Sequence, residues 1–186
     1  CIGTDEQWQV TTSPVLFAQL YHGETVDLTA AIRPLGHAVR AEVPVELLPQ
    51  YGEWITEHER FAPVACIRTP KGECVLDFGQ DLTGYVELRI RGPHGGRVVL
   101  HHAETLDSEG NFYNENYRTA RNEMTYVLSG GDDVFKPKYT FQGFRYVRLS
   151  EYPLDTVEPS AFTAVTVYSD MKRTRRFCCG NAGINQ

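Results

Sequence analysis

The strongest constraint on this chain is a period of two. Residues 84–91 read Gly-Tyr-Val-Glu-Leu-Arg-Ile-Arg, which puts Val86, Leu88 and Ile90 on one face and Glu87, Arg89 and Arg91 on the other. Side chains that alternate in this way suit a strand with one face in a core and the other in water. The next run, residues 97–103, follows a Gly92-Pro93-His94-Gly95-Gly96 turn, so the two runs predict a hairpin. Further strand-like runs occupy residues 74–78, 124–128, 134–141, 144–149 and 162–168, with Pro137 marking part of its run as an edge. Ser129-Gly130-Gly131-Asp132-Asp133 reads as a strong turn. Short strands recurring every 8–12 residues or so predict an all-β fold, an antiparallel β-sandwich of jelly-roll type. No sustained helical stripe runs through the sequence; residues 115–123 are the best candidate for a short helix or an irregular excursion.

The first third of the chain reads differently. Residues 15–21 and 25–31 look like strands around a His22-Gly23-Glu24 turn, and residues 32–63 then carry Pro34, Pro44, Pro49 and Pro63 with little alternation. This predicts three parts. Residues 1–57 are the end of a preceding β domain plus a connector, 58–168 are the sandwich, and 169–186 are a linker.

Charge and cysteine usage narrow the partners. A formal net charge of −6 argues against wrapping a phosphate backbone, and no apolar run is long enough to predict a membrane helix. The basic cluster Lys172, Arg173, Arg175 and Arg176 reads as a solvated linker. Cys1, Cys66, Cys74, Cys178 and Cys179 lack the paired spacing of a zinc knuckle. Cys66 and Cys74 flank a Thr69-Pro70-Lys71-Gly72 turn and can face each other across a hairpin. The vicinal Cys178-Cys179 pair does not bridge without strain, so free, buried thiols are the expectation. Reduced cysteines and the absence of a leader after Cys1 point to a cytoplasmic protein.

Candidate chemical groups are few. His101, His102, Glu104 and Asp107 form the densest set of ligand types, but alternation puts only His102 and Glu104 on one face, short of the three or four ligands that zinc needs. Asp107-Ser108-Glu109-Gly110-Asn111 faintly resembles a calcium loop but lacks its full oxygen ladder. No nucleophile elbow or phosphate loop occurs. The aromatics Trp8, Trp54, Phe141, Phe144 and Tyr146 read mostly as core. The expectation is therefore no catalytic residue, no metal ligand and no cofactor.

Three stretches carry a resemblance. They are residues 75–88 (Val-Leu-Asp-Phe-Gly-Gln-Asp-Leu-Thr-Gly-Tyr-Val-Glu-Leu), residues 101–113 (His-His-Ala-Glu-Thr-Leu-Asp-Ser-Glu-Gly-Asn-Phe-Tyr) continuing through Asn116-Tyr117-Arg118, and residues 139–147 (Tyr-Thr-Phe-Gln-Gly-Phe-Arg-Tyr-Val). Together they resemble the non-catalytic β-sandwich region of bacterial α-L-rhamnosidases, glycoside hydrolase family 78. Residues 14–24 are similar to the end of that family's preceding domain. Ser169-Asp170-Met171 with Phe177, Cys179, Asn181, Asn185 and Gln186 is similar to its lead-in to catalysis. The chain departs from the family at Asp81, usually Asn, and at His22, usually Asn or Asp. It departs again in the lead-in, at Arg175, Gly180, Ala182 and Gly183.

The resemblance implies a parent enzyme that removes terminal α-L-rhamnose with inversion, using two carboxyl groups and an intervening water. It places that chemistry in a catalytic (α/α)6 domain after the sandwich, and no residue here matches a catalytic position. This segment is thus expected to be an inactive support whose partner is its own catalytic domain, with no nucleic-acid or membrane partner. The alternative is a carbohydrate-binding module for rhamnose-containing glycans, with Phe112, Tyr113 and Tyr117 in a loop where a sugar would stack.

Overall fold

A computed structural model describes residues 5–42, 44–46 and 48–185. Cys1 and Gln186 lie outside the described residues. In chain order the strands are β1 (Gln9–Thr11), β2 (Val15–Gln19), β3 (Gly23–Asp27), β4 (Pro34–His37), β5 (Ile55–Phe61), β6 (Ala65–Arg68) and β7 (Cys74–Arg91). They continue with β8 (Arg97–Ala103), β9 (Thr105–Leu106), β10 (Phe112–Tyr113), β11 (Glu123–Val127), β12 (Asp132–Phe135), β13 (Gln142–Glu151) and β14 (Phe162–Ser169). The fold is all-β, and the described residues contain no α-helix.

One strand organises the rest. The runs read from sequence as 74–78 and 84–91 are a single 18-residue strand, β7, bent in the middle. Its first half, through Asp77, pairs with β13 and β6. Its second half pairs with β14 and β12. Between them residues 78–81 lie opposite Arg145 alone, because Tyr146 pairs with Asp77 and Phe144 with Leu82. A bulge of this size bends the strand and carries it from one layer to the next. The sheet order is β2-β3-β11-β8-β13-β7-β14-β5, with β6 and β12 also on β7, so one continuous ladder curls into two facing parts.

The core lies between those parts. Leu76, Phe78, Val86 and Leu88 of β7 meet Val98 and Leu100 of β8, Tyr126 of β11, Phe144 and Val147 of β13, and Phe162 of β14. Tyr126 stacks on Phe135 of β12 with ring centroids 4.4 Å apart. Each such side chain, fully buried, contributes about 1.5–3 kcal/mol. Close approach is allowed at Gly84, where an added Cβ would sit 1.9 Å from the Val165 carbonyl oxygen. A smaller cluster of Val75, Ala103 and Phe112 lies outside the main core, with Ile67 and Tyr146 packed against it.

The N-terminal strands differ from their expected form. The turn between β2 and β3 begins and ends two residues earlier, at 20–22 rather than 22–24, and β3 stops at Asp27 rather than 31. There the Asp27 carboxylate accepts the Thr29 N–H and hydroxyl, a local turn that competes with the ladder. β3 then pairs with β11 in parallel, Gly23 opposite Glu123 through Asp27 opposite Val127, the one parallel pairing among the described residues. Residues assigned from sequence to 1–57 and to 58–168 thus share hydrogen bonds in one sheet. The buried Glu24 carboxylate strengthens the joint by accepting the backbone N–H groups of Lys138 and Tyr139, each at 3.1 Å. Gly23 makes this pairing feasible. Its φ is +107°, and a Cβ there would sit 1.8 Å from the Glu123 carbonyl oxygen.

Two further expectations are corrected. β5 falls within the stretch read as irregular. Its Thr-Glu-His-Glu-Arg sequence shows no apolar alternation because it is a charged, mostly exposed edge paired only with β14. Trp8, Trp54 and Phe141, read as core, are 48%, 74% and 38% exposed, whereas Phe144 is buried as expected.

Replacing Gly23 by Ala is expected to raise hydrogen exchange in β2 and β3 while β7 and β8 stay protected. Replacing Gly84 by Ala strikes the main core and is expected to lower global stability by about 2–4 kcal/mol in urea unfolding. Equal, global loss from both substitutions would show that β3 is not a separable edge.

Candidate functional site

Most polar residues of the three resembling stretches are engaged in holding the fold. In the first stretch, Asp77 accepts Arg145 Nε at 2.8 Å and Nη2 at 2.9 Å, and the Gly79 N–H at 2.7 Å. The bidentate pair closes the β7 bulge against the β13 residue opposite it. In the third stretch, Phe144 enters the core, the Gly143 carbonyl accepts the Tyr117 hydroxyl at 3.0 Å, and Gln142 donates to the Thr140 hydroxyl.

The second stretch folds over the outer face of β8 and β13. His102 is fully buried, packs edge-on to Phe144 at 4.9 Å and bonds the Asn122 carbonyl through Nδ1. Burial first, opposed by that hydrogen bond, lowers its pKa to about 4, so it is neutral near pH 7. His101 sits on the opposite side beside Ser150, and Glu104 is exposed. The four ligand types named from sequence therefore do not converge. Among the described residues no group of three His, Cys, Asp or Glu side chains does.

The calcium-like loop has another task. Asp107 Oδ1 accepts the backbone N–H groups of Glu109 and Asn111, and both of its oxygens accept from the Asn111 amide. Lys71 Nζ lies 3.7 Å from Asp107, and the Lys71 N–H donates to buried Asn111, docking the loop on the β6–β7 turn. A site already filled by N–H donors and an ammonium group is poorly suited to a cation. Phe112, named as a stacking residue, is buried with the Arg148 guanidinium 4.6 Å over its ring. Tyr113 and Tyr117 are half-buried. Phe112 is thus closed to a sugar ring, while Tyr113 and Tyr117 keep part of their surface in water.

Six carboxylates share one electrostatic character. Asp77 is held low by Arg145, and Asp107 by the Asn111 N–H. Glu59 is lowered by the hydroxyls of Thr166 and Tyr168, and Glu57 by Lys136. Burial opposes ionisation most strongly at Glu73 and Glu87 but is outweighed, at Glu73 by Arg148 and the Phe112 N–H and at Glu87 by Arg60 and Arg89. A glycosidase acid needs the reverse, a carboxyl held protonated near neutrality.

The exposed aromatics lie elsewhere. A groove of about 660 Å³ is lined by Leu20, Ile55, Tyr85, Tyr139, Phe141 and Val167, with a Glu57–Lys136 ion pair beside them. Burial first and Glu57 second push the Tyr85 phenol up to about 12. The sequence reading missed this groove because it joins β2, β5, β7, β13 and β14 neighbourhoods from distant positions. One local signal was present. In Tyr139-Thr140-Phe141-Gln142 the polar residues are buried and the aromatics face out, the reverse of an ordinary half-buried strand.

Disposition of the remaining features is mixed. Residues 170–185 have no helix or strand, and Lys172, Arg173, Arg175 and Arg176 are exposed. Cys66, Cys74, Cys178 and Cys179 are free, but none is buried: Cys66 and Cys178 are exposed and the others intermediate. They lie on an edge hairpin and on the C-terminal segment rather than in the core. No helix in the described residues is long and apolar enough to cross a membrane.

Comparison with known proteins locates this architecture. Residues 67–168 match the family model described as the bacterial alpha-L-rhamnosidase concanavalin-like domain. An alpha-L-rhamnosidase of Streptomyces avermitilis is 34% identical over 166 residues, covering 82% of this chain and 16% of the relative. One from Alteromonas sp. (strain LOR) is 28% identical, covering 100% of this chain and 22% of the relative. The crystal structure of the native rhamnosidase from Aspergillus terreus superposes with a TM-score of 0.88 at 29% identity, over 99% of this chain and 23% of that one. The chain thus spans about a fifth of the length of these relatives.

Lowered carboxylate pKa values carry a sign. The unfolded chain takes up protons first as pH falls, near pH 4, while the folded groups resist until lower pH. Stability is therefore expected to be complete above about pH 5 and to decline steadily below pH 4. Urea midpoints measured from pH 6 to pH 2.5 check this. Arg145→Ala is expected to cost about 1–2 kcal/mol at pH 7, less than a fully buried pair because the arginine side chain is 37% exposed. It should also flatten part of the acid decline.

Proposed function

The chain belongs to the bacterial α-L-rhamnosidase concanavalin-like domain family, and from that premise we propose that it is the non-catalytic β domain of an enzyme that releases terminal α-L-rhamnose from glycosides. The observation that carries this reading is the use of the resembling stretches. Asp77, Arg145, His102, Asp107 and Tyr117 bond or pack within the sandwich rather than presenting groups to a sugar. The lowered carboxylates supply no protonated acid to match an activated water across a glycosidic bond. Inverting hydrolysis, with its acid and base carboxyl groups, belongs in this proposal to a helical catalytic domain outside residues 1–186.

The groove supplies the contact with that domain. Trp54, Ile55, Tyr139 and Phe141 are 74%, 63%, 63% and 38% exposed, an apolar surface of the kind that marks an interface. The Asp170 N–H bonds the Trp54 carbonyl at 2.8 Å, so the polypeptide leaves β14 at the rim of this groove. A domain tethered there meets the apolar surface at high effective concentration.

The isolated chain is expected to release no aryl alcohol from an aryl α-L-rhamnoside. A chimera carrying it in place of the corresponding region of the Streptomyces avermitilis relative is expected to be active. In the chimera, Phe141→Ser with Ile55→Ser should lower the melting temperature by about 3 °C or more, while the isolated chain should melt within about 1 °C of its parent. Turnover by the isolated chain would refute the scaffold reading. Equal melting shifts in both proteins would remove the groove as the contact.

A further inference from the structure

We propose that Cys66 and Cys74 form a redox-responsive thiol pair that closes to a disulfide across the β6–β7 hairpin when it meets a small-molecule disulfide.

The geometry rests on strand register. β6 pairs with β7 so that Arg68 lies opposite Cys74 and Cys66 opposite Leu76. Cys66 and Cys74 are therefore diagonal neighbours on one face of the ladder, and their Sγ atoms are 3.5 Å apart. The turn between them is braced. Thr69 Oγ1 accepts the Glu73 N–H at 3.1 Å, the Thr69 N–H donates to the Glu73 carbonyl, and Arg68 Nη1 donates to the Gly72 carbonyl at 2.8 Å. Glu73 is tied in turn to Arg148 and to the Phe112 N–H. With the Sγ atoms already 3.5 Å apart, forming a sulfur–sulfur bond of about 2.05 Å draws the two side chains together across this hairpin.

The two thiols differ in the way that exchange requires. Cys66 is exposed and open to a soluble reagent, whereas Cys74 is half-buried behind it. Burial first, and the neighbouring Cys66 second, push the Cys74 thiol up to about 11, so Cys74 is the poorer initial nucleophile. The Cys66 thiolate attacks one sulfur of a disulfide such as oxidised glutathione, forming a mixed disulfide and releasing one glutathione thiolate. Cys74 loses its proton as its sulfur attacks Cys66 Sγ, forming the Cys66–Cys74 bond and expelling the second glutathione thiolate. Two protein thiols lose two electrons, the glutathione disulfide gains them, and the two protons end on two glutathione molecules. The product staples edge strand β6, which pairs only with β7, to the strand that both layers share.

Incubating the reduced chain with oxidised glutathione and mapping tryptic peptides without reduction tests this. The expected product joins the peptide of residues 61–68 to that of residues 72–89, with the pair lighter by two hydrogens. The oxidised wild type should melt about 5 °C higher than the reduced form. Cys74→Ser should instead retain one glutathione on Cys66 and show no such rise. A wild-type chain that keeps glutathione on Cys66 with Cys74 free would overturn the proposal. So would preferential linkage of Cys66 to Cys178 or Cys179.

Discussion

The bidentate bond between Asp77 and Arg145 stands at the point where the architecture is decided. A long amphipathic strand left straight would belong to one sheet, with one face of it bare. Four residues in β7 opposite one in β13 turn the strand, but a bulge leaves ladder groups unpaired and its direction free. The carboxylate of Asp77 meets both needs. It accepts the Gly79 N–H inside the bulge and holds the guanidinium of the lone facing residue. Once that corner is set, Leu76 and Phe78 before it and Val86 and Leu88 after it reach the same core.

Legibility in the sequence followed the strength of the local pattern. Residues 84–91 alternate in sequence and form a β strand where expected, because a one-residue slip would turn every apolar side chain into water. β5 was invisible because an exposed edge imposes no apolar period, and its pairing with β14 depends on residues about a hundred positions away. The two runs in β7 looked separate because residues 79–83 break the alternation, as a bulge must. The resemblance carried by 75–88, 101–118 and 139–147 pointed to the correct family. It could not show that Asp107 is spent on Asn111 or that Phe112 lies beneath Arg148, since those roles depend on docking against the β6–β7 turn.

The electrostatics separate support from chemistry. Catalytic carboxyl groups are tuned by environments that oppose ionisation, whereas Glu57, Asp77 and Asp107 face ammonium, guanidinium or amide donors that favour it. Glu73 shows the balance most clearly. It is among the less exposed acids, and Arg148, Thr69 and the Phe112 amide still prevail over its burial. A group so engaged links three segments at once, and moving it to a reacting substrate would loosen all three.

The parallel ladder of β3 on β11 also sets an order of events during synthesis. Its partners, residues 23–27 and 123–127, are separated by 100 positions, so the strand nearer the N-terminus emerges long before its neighbour exists. At ribosomal rates of about 5–20 residues per second the interval is roughly 5–20 s, far beyond the microseconds in which a hairpin forms. β2 and β3 can pair with each other at once, yet the open side of β3 stays without hydrogen-bond partners until β8 and β11 have been made. The nascent chain therefore carries an unsealed sheet margin for as long as the hundred residues between these two strands take to be made.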